Sequence, residues 1–287
     1  MSTNSLPLLQ HVLESPSAFT PERLMAAVRA ERGLTNETVP PLCVLDFDGD
    51  LSDRLAEEGV TSPMVSWACF HTSMRVLTLD GLSCGIVPRT IGGPYAVLIA
   101  EQLCAAGAKL VVGMTSAGRI SPTLPLPAIV VIDEAVRDEG TSLHYLPPST
   151  TIATPTPGLA DLLAQELGGL PSPVTRGVVW TTDAPYRETP IQLRSWAEKG
   201  VLAVEMQAAS LFAFARARGA HVGMVALVSN DVDQGTAEFD TGGHEFRARV
   251  LTAVARAARK FFLAQPETSR VEMTHSDRRR DARPLWG

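Results

Sequence analysis

The sequence predicts an α/β fold: one domain in which helices cover a central mixed sheet. Short apolar runs of strand length alternate with helix-length segments along most of the chain. Four of those runs end in small polar or acidic clusters, namely Asp46-Phe47-Asp48-Gly49-Asp50, Thr115-Ser116-Ala117-Gly118, Thr181-Thr182-Asp183 and Ser229-Asn230-Asp231. The 287 residues are 45% apolar and 20% charged, enough to bury a sizeable core.

Residues 1–40 read as a helical extension. Thr20 is an N-cap followed by Pro21 and Glu22, Leu24, Ala27 and Val28 share an apolar face, and Pro40-Pro41 ends the segment. The main domain then spans 41–265. Leu42 to Leu45 is its first strand, with the Asp46–Asp50 cluster as the loop after it. Gly92-Gly93-Pro94 opens a helix through Ala106. Strands follow at 109–114, 128–132 and 177–180, with 115–118 and 181–183 as loops. Pro190 to Lys199 is a helix stopped by Gly200. Val201 to Val204 is a strand running into Glu205 and a helix to Arg218. The strand 222–228 ends in Ser229-Asn230-Asp231, and the last helix runs from about Gly243 to Leu263. Residues 266–287, with Arg278, Arg279, Arg280 and Arg283, read as a polar tail, solvated or, as the alternative, an arm for a partner. In sheets of this type ligands gather at the carboxyl ends of the strands, where the four clusters lie.

The net charge of −6 argues against a protein that coats nucleic acid, although a local site can still be positive. No apolar stretch is long enough to cross a membrane and no secretory leader is legible, so a cytoplasmic location is expected. None of Cys43, Cys69, Cys84 and Cys104 forms a CxxC pair. Cys43 and Cys104 read as buried thiols, and no metal site is expected.

The segment Val201-Leu202-Ala203-Val204-Glu205-Met206-Gln207-Ala208-Ala209 resembles the Val-Glu-Met-Glu-Ala signature of the nucleoside phosphorylase/nucleosidase superfamily. Phe47-Asp48-Gly49-Asp50 stands where that family has a phosphate loop. Gly92-Gly93-Pro94 is similar to its Gly-hydrophobic-Pro turn, Thr115–Gly118 to its Gly-Ser-Ala-Gly loop, and 137–145 to its Arg-x-x-Gly-x-Ser segment. Ser229-Asn230-Asp231 stands at its Ser-Asp. The resemblance covers about 42–263 and implies a three-layer, phosphorylase-like domain that cleaves the N-glycosidic bond of a nucleoside. Phosphorolysis would give free base and pentose 1-phosphate, with inorganic phosphate as co-substrate and no other cofactor. A hydrolytic nucleosidase and a catalytically silent nucleoside-binding protein are the alternatives. A homo-oligomer (dimer, trimer or hexamer) is also implied.

By the same resemblance, Glu205, Met206 and Gln207 hold the ribose, and Asn230 or Asp231 stabilises the departing base. Gly49, Thr115 and Ser116 contact phosphate, with Arg54 and Arg89 as this chain's own candidates for the anion. Asp183, Tyr186 and Arg187 contact the base, and His71 or Arg75 reaches an anion from this or a neighbouring subunit. Gly49 and the Ser116–Gly118 turn would let backbone amides approach an anion closely. Four departures bear on the reaction. Gly113 stands where phosphorylases carry an arginine, Asp53 replaces the arginine after the phosphate loop, Gln207 replaces the second acid, and Asn230 cannot supply a proton.

Overall fold

A computed structural model of the protein describes residues 6–232 and 243–265; the Arg-rich tail lies outside the described residues. The elements are α1 (Pro21–Arg32), β1 (Leu42–Asp46), α2 (Asp50–Glu57), β2 (Ser62–Pro63), β3 (Arg75–Leu79), β4 (Leu82–Pro88), α3 (Gly93–Ala105), β5 (Leu110–Arg119), β6 (Ala128–Asp138), β7 (Thr151–Ala153), α4 (Pro157–Leu167), β8 (Val174–Thr182), α5 (Pro190–Glu198), β9 (Ala203–Glu205), α6 (Ala208–Arg218), β10 (Val222–Asp231) and α7 (His244–Ala264). The start of α1 follows its sequence signals. The Thr20 side chain accepts from the Arg23 amide, and Gly33 ends the helix in the left-handed conformation.

The strand order is β10-β6-β8-β9-β5-β1-β4-β3-β2, with β7 on β6. Because β10 also pairs with β5, the strands β5, β10, β6, β8 and β9 close into a ring. The sheet is mixed. β1 runs parallel to β4 and β5, and β10 parallel to β5, whereas β9 meets β5 and β6 meets β10 antiparallel. Strand residues alternate between two cores. Cys43, Leu45, Val111 and Met224 face one side with α1, α3 and α6. Leu42, Val44, Val112 and Val225 face the other with α2, α4 and α7.

Several elements differ from the sequence reading, for identifiable reasons. The segment Thr115–Gly118 is not a loop: β5 continues to Arg119 because β10 pairs with it along that stretch. For the same reason β10 runs through Ser229 and Asn230 to Asp231. Thr181 and Thr182 belong to β8, and β6 extends to Asp138 against β8 and β7. Of the Asp46–Asp50 cluster, Asp46 ends β1 and Asp50 begins α2, leaving 47–49 as the loop. The hairpin β3–β4 turns at Asp80-Gly81, both with positive φ, an Asp-Gly signal the sequence carried unread. Helices α2 and α4 were also unread. Cys43 is buried, but Cys104 is only half-buried. Among the described residues no helix is long and apolar enough to cross a membrane.

Candidate functional site

The gap that makes the site opens along one edge of β5. β1 accompanies that edge as far as Met114, where Asp46 is its last partner, and β9 takes over only at Gly118. Between these points the polar residues Thr115 and Ser116 point to opposite faces, so one strand serves two clusters.

On the α7 side, Ser116 Oγ donates to Asp48 Oδ2 at 2.6 Å. Arg247, from the first turns of α7, donates to the same carboxylate oxygen at 2.9 Å and to Ser116 Oγ at 2.8 Å. Gly49 follows with φ +88, a conformation that suits glycine, and caps α2. A Cβ there would also strike Arg89 Cγ at 2.7 Å. Arg89, itself at φ +57, forms a two-point ion pair with Asp53. The guanidinium holds the Asp53 carboxyl below the usual carboxylate range. Arg54 turns away to Glu57 and Glu58 on its own helix. Asp46 accepts from the Ser52 amide (2.8 Å) and hydroxyl (2.7 Å). Burial nevertheless raises its pKa, against the pull of Ser52 and Arg247.

On the α6 side, Thr115 Oγ1 donates to Gln207 Oε1 at 3.2 Å. Glu205 is buried and accepts from Thr181 Oγ1 (2.5 Å) and from the amides of Gln207 (2.7 Å) and Ala208 (2.9 Å). It therefore caps α6 with its carboxylate, where the helix N-terminus favours an anion. Burial pushes its pKa up to about 7, against the three donors that favour the ionised form. Met206 is half-buried beside it, and its amide donates to Gln207 Oε1. Two hydrogen-bonded clusters, Asp48–Ser116–Arg247 and Thr115–Gln207–Glu205–Thr181, thus meet through the β5 backbone at the carboxyl ends of β1, β5, β8 and β9.

The end of β10 borders this assembly. Asn230 lies opposite Gly118 and Asp231 opposite Arg119, with a register shift between Val228 and Asn230. Such irregularities re-aim side chains at strand ends. The Asp231 carboxylate is gripped by two nitrogens of Arg119, which also donates to the Leu124 carbonyl. The remaining sequence candidates sit elsewhere. Asp183 accepts from the Gly140 amide at 2.9 Å, Tyr186 is 99% exposed, and Arg187 is exposed in the same short turn. Arg75 folds back onto Thr61, and the exposed His71 offers its carbonyl to the Tyr95 hydroxyl. Among the described residues no three His, Cys, Asp or Glu side chains converge where a metal could sit.

Comparison with known proteins adds a family to this geometry. The profile described as "Phosphorylase superfamily" matches residues 45–264. The chain belongs to the phosphorylase superfamily. The guanosine phosphorylase of Halorubrum lacusprofundi is 26% identical over 224 residues, covering 77% of this chain and 91% of that protein. The uridine phosphorylase of Thermococcus kodakarensis is 28% identical over 211 residues (65% and 72%). That of Salmonella typhimurium is 25% identical over 209 residues (66% and 79%).

Within this superfamily chain, Gly113 has a packing reason. A Cβ there would collide with Met224 Sδ and approach the Phe47 ring at 2.8 Å, so any side chain at that position requires these two to shift. The described site does hold a buried guanidinium, that of Arg247, which the sequence reading missed. A signal existed: Arg247 occupies the apolar stripe of α7 with Val250, Leu251 and Val254, at i, i+3, i+4 and i+7. A cation on such a stripe needs a partner. Thr181 and Asp48 were seen only as members of polar clusters; their bonds to Glu205 and Ser116 span 24 and 68 residues.

Proposed function

We propose that this chain cleaves the N-glycosidic bond of a nucleoside by phosphorolysis, as a pentosyltransferase, with inorganic phosphate as co-substrate. The observation that carries the reading is the pair of polar clusters that adjacent β5 residues bring together, Asp48 with Ser116 and Gln207 and Glu205 with Thr115. In this reading one stretch of β5 carries both the phosphate-binding end and the hydroxyl-binding end. In this reading Gly49, Thr115, Ser116 and Arg89 face phosphate. Met206 packs on the sugar, and Gln207 meets its hydroxyls from a backbone fixed by Glu205. A phosphate oxygen forms the new bond to the anomeric carbon as the carbon–nitrogen bond breaks and its electron pair leaves on the base. Asn230 hydrogen-bonds the departing base, and solvent supplies the proton an amide cannot. The named guanosine and uridine phosphorylases among the relatives support a purine or pyrimidine nucleoside.

Hydrolysis is the second reading. It is favoured by Asp48, whose carboxylate already lies against Ser116 and Arg247, and by glycine rather than arginine at position 113. A panel including guanosine and uridine, incubated with and without phosphate and resolved by chromatography, separates the two. Phosphorolysis yields pentose 1-phosphate and stops when phosphate is withheld. Equal rates in phosphate-free buffer would reject it in favour of water as the nucleophile.

A further inference from the structure

Arg247 is among the largest fully buried side chains of the protein, with 1% of its side chain exposed. Burying a guanidinium is costly unless it is paired and hydrogen-bonded. Here Nη2 and the Ser116 hydroxyl converge on a single oxygen, Asp48 Oδ2, at 2.9 and 2.6 Å, while also bonding each other at 2.8 Å. A cation and a hydroxyl aimed at one anionic oxygen make an oxyanion seat, and a carboxylate occupies it. The occupant is the more exposed partner of the pair, at 19% against 1%. Asp48 therefore stands at the solvent side of the buried guanidinium. It also precedes Gly49, whose left-handed backbone opens α2.

We propose that Arg247 and the Ser116 hydroxyl form the oxyanion seat of this protein, and that the Asp48 carboxylate fills it as an internal counter-ion that inorganic phosphate displaces. The identity of the anion as a co-substrate rests on the phosphorolytic reading; the seat itself rests on the geometry. Phosphate gains the guanidinium and the hydroxyl but must eject a like charge. Its affinity is therefore set by a competition inside the protein. Arg247 supplies its charge from a helix rather than from a strand.

Calorimetric titration of the full chain with inorganic phosphate, without nucleoside, tests this. Asp48→Asn removes the competing charge and is expected to tighten phosphate binding ~tenfold. Arg247→Lys, which keeps charge but loses the fork, weakens it, and Arg247→Met abolishes it. Circular dichroism checks that each variant is folded; should the methionine variant fail to fold, Asp48→Asn and Arg247→Lys carry the test. An Asp48→Asn protein that binds phosphate no better than the wild type, or a folded Arg247→Met protein that binds it equally well, overturns the seat. The expected binding pattern in a chain that cleaves nucleosides equally fast without phosphate would leave the seat standing and remove phosphorolysis. Phosphate-dependent turnover with binding unchanged in Asp48→Asn would do the reverse.

Discussion

Replacing Glu205 by Gln alters one side-chain atom and removes one titration from the interior. Burial lifts the folded-state pKa from an ordinary 4.5 to about 7. Below about 4.5 both the folded and the unfolded chain hold the proton, and the neutral carboxyl contributes its full stability. Between 4.5 and 7 the unfolded chain releases the proton while the folded chain keeps it. Stability from this group is therefore lost as the pH rises through 7. About 2.5 pH units at about 1.4 kcal/mol each set the loss at about 3 kcal/mol. Glutamine keeps an oxygen for the amides of Gln207 and Ala208, so the cap of α6 survives while the pH dependence goes. Urea unfolding followed by tryptophan fluorescence at pH 5 and pH 8, on both proteins, reads the effect. Glu188 and Asp46, also raised by burial, are present in both and cancel. Because about 2 of those pH units lie above pH 5, the variant is expected to gain about 2–3 kcal/mol on the wild type between those pH values. A difference that stays constant within about 0.5 kcal/mol would refute the assignment of a strained, buried carboxyl to this position.

Three further outcomes follow from the packing. Gly113→Ala pushes a methyl into Met224 and the Phe47 ring and should lower stability by about 1–3 kcal/mol in a thermal melt; an unchanged midpoint would mean the strand can shift freely there. Asp231→Asn deprives the part-buried Arg119 of its carboxylate and should cost about 1–3 kcal/mol in denaturant unfolding, with no loss expected if the ion pair is only a surface contact. Tyr186→Ala removes a 99% exposed ring and should leave the unfolding free energy within about 0.5 kcal/mol; a larger drop would show that the ring is packed in solution.

The α/β class, the alternation of strands and helices, the start of α1 and the bounds of α3, α5 and α6 were legible in the sequence, because caps, prolines, glycines and apolar runs are local signals. The family was legible as well, since Val204-Glu205-Met206-Gln207-Ala208 and the polar strand ends keep their order along the chain. Strand ends were not. Nothing local distinguishes Thr115–Arg119 or Ser229–Asp231 from loops, and only pairing between β5 and β10 makes them strand. The site was legible in part, for the same reason. Position 205 read as a polar group at a helix mouth, but its bond to Thr181 requires the neighbouring strand β8.

Sequence by itself therefore determined which residue types stand at the mouths of the strands, and with them the family to which the chain belongs. Tertiary structure alone decided which of them meet. The pairing of Asp48 with Arg247 across 199 residues exists because α7 packs beside the carboxyl ends of β1 and β5, and the closed ring through β10 holds those ends together. A charge in an apolar stripe announces that it needs a partner; only the packed fold names the partner, because that choice depends on distances that the order of residues does not contain.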